Sequence, residues 1–159
     1  QGWSIKGKRV LILGAGGAVR GVLHPLLAQA PEVVVIANRT ASKAVDLAGS
    51  FSKYGLVKGC GYEGLNGLSF DLVINGTSAS LSGDLPPLPE RLLAPRACCY
   101  DMMYGAEPTV FLGWAVGQGA IACADGLGML VGQAAESFYL WRGVRPEIAP
   151  VIESLRAQL

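Results

Sequence analysis

The chain has 159 residues, room for one domain with a real core. Lysine and arginine total 13 against 12 aspartates and glutamates, and a net charge of +1 offers no basic surplus for nucleic acid or an anionic membrane surface. At 51% hydrophobic, with 22 glycines and 16% charged residues, the composition excludes a disordered chain; its longest uncharged stretch, 108–124, is too short and too glycine-rich to span a bilayer.

The opening Gln1-Gly2-Trp3-Ser4 forms no basic-then-apolar leader and lacks an initiator methionine, so the sequence is expected to be a piece of something longer. Residues 9–13 read as a buried strand that ends at Gly14. Residues 18–30 read as a helix, with Val19, Val22, Leu23, Leu26 and Leu27 on one face. A valine-rich strand is expected over 32–37, a helix over 41–52 and a third strand over 56–60. Strands over 72–75 and 97–100 follow, separated by an irregular connection that carries Pro86, Pro87, Pro89 and Pro95. A helix over 109–118, a short sixth strand over 121–124, and helices over 128–141 and 147–158 complete the chain. Continuous apolar strands separated by helices imply an α/β fold, an open, doubly wound and mostly parallel six-stranded sheet with helices on both faces.

The cysteines, Cys60, Cys98, Cys99 and Cys123, show no C-x-x-C spacing, so no metal site is expected. Cys98 and Cys99 would face opposite sides of a strand, which suits buried free thiols and a reducing cytoplasm. The single histidine, His24, reads as an ordinary helix residue rather than a triad member.

Gly14-Ala15-Gly16-Gly17-Ala18 lies between the first strand and the first helix, where a doubly wound sheet binds a dinucleotide. Glycine lets the backbone approach a pyrophosphate, and the helix start supplies free N–H groups. Gly14 and Gly16 fit G-x-G-x-x-G, but Val19 takes the third glycine position, and a purely structural turn is the alternative. After the second strand, where a site for NAD would carry a carboxylate, the chain reads Asn38-Arg39-Thr40-Ala41-Ser42-Lys43. Arg39 and Lys43 suit a 2′-phosphate, and hence NADP(H). The alternative is Thr40 as a helix cap beside two solvated cations.

Five stretches, GAGGAVRG at 14–21, NRTASK at 38–43, NGTS at 75–78, YDMMY at 100–104 and DGLGMLVGQAAESFYLWRG at 125–143, resemble the shikimate dehydrogenase family, in order and at its spacing. The resemblance covers essentially the whole chain but only about the C-terminal half of the family's length. It implies NADPH-dependent reduction of 3-dehydroshikimate to shikimate, in the pathway to aromatic amino acids. It implies a Rossmann-like cofactor domain over 1–125, and helices over 126–159 that pack partly against a substrate domain absent from this sequence.

By the resemblance, Gly14 to Ala18 hold the pyrophosphate and Asn38 to Lys43 the 2′-phosphate. Thr77 and Ser78 lie near the cofactor, Met102 and Gly126 line the nicotinamide, and Tyr104 and Gln133 contact substrate hydroxyls. The family often has arginine at the Lys43 position. Plainer alternatives are turn residues for Thr77 and Ser78, core filler for Met102, a packed ring for Tyr104 and a helix-entry glycine for Gly126. Gln133 sits beside the stripe Leu127, Leu130, Val131, Ala134, Phe138 and Trp141, so it is expected to be a buried amide in need of partners.

The family's acid–base lysine–aspartate pair belongs to the absent domain, so no catalytic residue is assigned here. The chain is expected to bind NADPH without turnover, and to self-associate through uncovered apolar surface. Two other readings remain: an NAD-using quinate/shikimate dehydrogenase relative, and a nucleotide-binding module without catalysis.

Overall fold

Strand β1 (Arg9–Leu13) is buried along four of its five residues, as is β2 (Val33–Ala37). Both are apolar on the two faces at once, the pattern of strands covered on both sides. With β3 (Val57–Cys60), β4 (Phe70–Asn75), β5 (Leu93–Asp101) and β6 (Ala122–Ala124) they form one parallel sheet in the order β3-β2-β1-β4-β5-β6. The computed structural model describes residues 2–79 and 83–159; Gln1, at the head of the expected cofactor domain, lies outside them.

Helices α1 (Gly17–Leu27) and α2 (Ala41–Phe51) cover one face. There Val10, Ile12, Val34 and Ile36 pack with Val19, Leu23, Leu26, Leu27, Ala44 and Leu47. Alternate strand residues point the other way. Leu11, Leu13, Val35, Val73 and Cys99 pack on that side with Phe111, Leu112 and Ala115 of α3 (Val110–Gly117). The chain builds β1 to β3 outward in one direction, then returns across β1 to lay β4 on its free side. The strand order therefore reverses between β1 and β4, and a crevice opens at the C-terminal ends of those two strands.

The expected elements are all present, with shifted ends. α1 stops at Leu27 rather than 30, because the residue before Pro31 cannot stay helical; Ala30 turns with φ 53°. β5 begins at Leu93, four residues early, and includes Pro95. Phe70 pairs with Leu93 but Leu72 pairs with Cys98, so a bulge takes up the intervening residues. That is where a strand tolerates proline, and Arg96 there has φ 65°.

Helix α4 (Leu127–Arg142) closes on Gly143 in the left-handed region, whose N–H donates to the Tyr139 carbonyl at 2.8 Å. Its apolar stripe is buried only at Leu127 and Val131. Phe138, Leu140 and Trp141 are exposed, and α5 (Ala149–Arg156) buries no residue fully.

Cys98 and Cys99 face opposite sides of the sheet, and all four cysteines are free. Burial pushes the Cys99 thiol up to about 12, with help from Cys123 and Cys98, so it is a protonated, unreactive core side chain at neutral pH. Among the described residues no helix is long and apolar enough to cross a membrane, and no cluster of His, Cys, Asp and Glu is arranged to hold a metal.

Candidate cofactor site

The crevice at the β1/β4 reversal is a cleft of about 450 Å³. Gly14, Ala15 and Gly16 line it from the end of β1, and Asn38 and Arg39 from the end of β2. Gly76, Thr77 and Ser78 line it from the end of β4. Gly14 needs its glycine: φ is 100°, and a Cβ there would sit 3.0 Å from the Gly76 carbonyl oxygen. Its N–H donates to the Ala37 carbonyl at 2.7 Å, and the Gly76 N–H to the Leu13 carbonyl at 2.8 Å. These two bonds draw the three strand ends together.

Gly16 is the N-cap of α1, and no side chain caps that helix, so its first-turn N–H groups remain available. Thr40 occupies the N-cap of α2, yet its hydroxyl makes no capping bond. The capping alternative for Thr40 is thus not taken up, and its hydroxyl is left for other partners. Asn38 Nδ2 donates to the Thr40 carbonyl at 3.0 Å and shapes this turn. Arg39 is exposed at the cleft, with no carboxylate in ion-pair range among the described residues.

The third glycine of the motif is missing for a visible reason. Val19 is fully buried, and a Cβ on Gly76 would collide with its Cγ2 methyl. Room that a helix glycine would leave is provided instead from the neighbouring strand end.

Below the cleft lies a buried polar knot. Asn75 and Asp101 are register partners on β4 and β5, and both are fully buried. Asn75 Nδ2 donates to Asp101 Oδ1 at 3.0 Å, and Asn75 Oδ1 accepts from the Thr77 N–H at 3.1 Å and its hydroxyl at 2.8 Å. Asp101 also accepts from the Met103 N–H at 3.0 Å and from the Thr109 hydroxyl at 2.6 Å. Thr109 in turn caps α3. Thr77 therefore serves both as a turn residue and as part of the cleft wall.

The remaining expected residues are placed differently. Gly17 and Ala18 start α1, and Ala41, Ser42 and Lys43 start α2; all adjoin the lining without forming it. Met102 is core filler rather than an open wall, 4% exposed, with its sulfur beneath Gly76. Gly126 packs directly on Met102: a Cβ there would overlap the Met102 carbonyl, and the Gly126 N–H donates to the Met103 carbonyl at 3.0 Å. Tyr104 lies on the loop after β5 and Gln133 on α4, both outside this cleft. Gln133 is exposed, not the buried amide expected: it faces away from the stripe residues Leu127 and Val131 that α4 buries.

Residues 1–82 match the family described as Shikimate / quinate 5-dehydrogenase. The chain belongs to this family. Residues 126–156 match its Shikimate 5'-dehydrogenase C-terminal domain. A shikimate dehydrogenase (NADP(+)) of Cellvibrio japonicus is 70% identical over 157 residues, which cover 99% of this chain and 57% of that protein. The crystal structure of an Ael1 enzyme from Pseudomonas putida matches with a TM-score of 0.88 and 49% identity, over 97% of this chain and 56% of that one. A ligand-free 5-ketofructose reductase of Gluconobacter sp. strain CHM43 matches with a TM-score of 0.84 and 32% identity, over 99% and 59%. The chain spans little more than half the length of the curated relatives it matches.

In this shikimate/quinate dehydrogenase family member, sequence reasoning missed Tyr62, Gly76 and the segment Asp84–Leu85–Pro86–Pro87 as cleft-lining residues. Asp84 matters most: the strand end beyond β2 carries no acid, but the proline-rich connection brings one to the same cleft. The readable signal was the proline-rich run itself, since Pro86 and Pro87 each fix their own φ.

Proposed function

We propose that this chain is the NADP(H)-binding part of a shikimate dehydrogenase that reduces 3-dehydroshikimate to shikimate. The observation that carries this reading is the joining of Gly14–Gly16 and Arg39 in one cleft at the strand-order reversal. The donor set fits the cofactor: uncapped N–H groups for a pyrophosphate, and a guanidinium with no carboxylate in ion-pair range among the described residues for a 2′-phosphate. The names of the curated relatives, shikimate dehydrogenase (NADP(+)), support the same cofactor.

When bound, NADPH supplies a hydride. In this reading Gly14 to Ala18 hold the pyrophosphate, Asn38 to Lys43 the 2′-phosphate, and Thr77 and Ser78 the wall beside them. Met102 and Gly126 set the floor near the nicotinamide, and Tyr104 and Gln133 meet substrate hydroxyls. The chain alone is proposed to bind cofactor without turnover. The lysine–aspartate ion pair among the described residues, Lys8–Asp71 at 3.7 Å, lies at the N-terminal edge of β1 and β4, across the sheet from the cleft. The four free cysteines agree with a cytoplasmic site of action.

Competitive titration of the 159-residue chain with NADP and NAD tests the reading, alongside an assay with 3-dehydroshikimate. NADP is expected to bind tighter by roughly tenfold or more, the worth of one charge-assisted phosphate contact, with no turnover. Equal affinities would defeat the cofactor assignment and favour the NAD-using relative; turnover would place the acid–base groups within this chain.

Residues 126–159 are proposed to pack partly against a substrate domain outside this sequence. Leu140 and Trp141 are 79% and 80% exposed, and Phe138, Val144, Ile148 and Val151 are exposed as well. Apolar surface on that scale drives association. Light scattering of the chain is expected to show oligomers, and a monodisperse monomer would count against this packing role.

A further inference from the structure

We propose that Tyr62 is a specificity-determining residue of the cleft, donating its hydroxyl to a phosphate on the adenosine 2′ position while its neighbour Arg39 grips the same group. The inference rests on the NADP(H) reading above and deepens it.

Topology places the two residues together. β2 and β3 run parallel with Ala37 and Cys60 in register, so the chain leaves both strands side by side. The Asn38 N–H donates to the Cys60 carbonyl at 3.1 Å and pins the two exits to each other. Asn38-Arg39 continues from one exit and Gly61-Tyr62 from the other. Tyr62 opens a 3-10 turn (Tyr62–Leu65) anchored by the fully buried Leu65, so its position is fixed by the core. The ring is partly buried against the apolar cluster under α3, and the residue lines the cleft with Asn38 and Arg39.

The electrostatics agree with that placement. Burial pushes the Tyr62 phenol up, and the Arg39 guanidinium pulls it partly back, so the two groups lie within electrostatic range. At neutral pH the phenol keeps its proton and acts as a donor. The acids nearby do not compete for the role. The Glu63 carboxylate folds back against Gly61, and Asp84, which also lines the cleft, repels a phosphate rather than binding it. A dianion accommodated in a cleft that contains Asp84 gains from a donor added to those of Asn38 to Lys43, and Tyr62 is the aromatic hydroxyl that adjoins Arg39.

NADP differs from NAD only by the 2′-phosphate. A hydroxyl that meets the phosphate therefore acts on one cofactor alone, whereas a ring that stacks on adenine acts on both, and a merely packed ring acts on neither. The experiment is titration of the 159-residue chain and its Tyr62→Phe variant with NADP, NAD, 2′,5′-ADP and 5′-AMP. Tyr62→Phe keeps the ring and its packing, and the ratio of NADP to NAD affinity is unaffected by any unfolded fraction.

NADP and 2′,5′-ADP are expected to weaken by about 5- to 10-fold, as for one lost hydrogen bond to a charged acceptor, with NAD and 5′-AMP unchanged. An unchanged ratio in Tyr62→Phe, or parallel losses for NADP and NAD, would overturn the role of the hydroxyl while leaving the cofactor reading intact. A parent chain that itself shows no preference for NADP would overturn the cofactor reading, and this inference with it.

Discussion

Replacing Arg39 with alanine is expected to weaken NADP binding by about 10- to 100-fold, from the roughly 1.5–3 kcal/mol carried by hydrogen bonds to a charged group. NAD binding is expected to stay within about twofold, because it has no 2′-phosphate for the guanidinium to hold. Arg39 is exposed at the cleft and has no carboxylate partner in ion-pair range among the described residues, so its removal leaves no buried charge unpaired. The loss therefore reports the ligand contact rather than damage to the fold. Arg39→Lys is expected to fall between the two, since lysine keeps the charge but loses the planar fork. Titration with both cofactors measures this, and an Arg39→Ala chain that binds NADP like the parent would remove Arg39 from the grip.

The second large effect is on stability. Asp101→Ala removes the acceptor for the Asn75 amide, the Met103 N–H and the Thr109 hydroxyl at a fully buried position. Each orphaned buried donor costs about 1–3 kcal/mol, and partial relaxation brings the total to about 3–5 kcal/mol. For a chain of this size each kcal/mol lowers Tm by about 2–4 °C, so a drop on the order of 10 °C is expected in thermal denaturation. Asp101→Asn retains an acceptor oxygen but turns an N–H₂ toward a donor, and is expected to cost about half as much. The same knot positions Thr77 through Asn75, so cofactor affinity is expected to fall in both variants at temperatures where they remain folded. If Asp101→Ala melts within about 2 °C of the parent, less than one kcal/mol separates them and the knot is not what holds these strand ends.

The legible parts of the fold are those decided by local chemistry. The runs 10–13 and 33–37 are apolar on consecutive residues, the pattern of a strand covered on both faces, and both strands are where the pattern places them. Gly14 announced the crevice because its backbone, at φ 100° and close against Gly76, suits glycine alone. Helix α4 shows the limit of such patterns. Its stripe of Leu130, Phe138 and Trp141 promises a partner surface without saying which, and these residues are exposed. Gln133 inherited that error, since its burial was inferred from its neighbours.

Tyr62 and Asp84 were illegible for another reason. Neither lies near Gly14 or Arg39 along the chain within a recognisable motif; the adjacency of β2 and β3 brings one to the cleft and the path of the β4–β5 connection brings the other. The knot of Asn75 and Asp101 was half legible. Two polar residues ending apolar strands are a signal, but their pairing follows only from the register of β4 on β5.

The two glycines that meet across the crevice, Gly14 and Gly76, belong to segments that fold against each other only when β4 docks on β1. The first three strands and two helices can associate through neighbouring contacts, whereas docking of β4 must close a long loop. The binding site is thus a property of the completed sheet, with no counterpart in the half that carries the glycine loop. A nucleotide seated there would hold the two halves closed, stabilising the native state by RT ln(1 + [L]/Kd). Bound cofactor would therefore act as a latch on the assembled sheet.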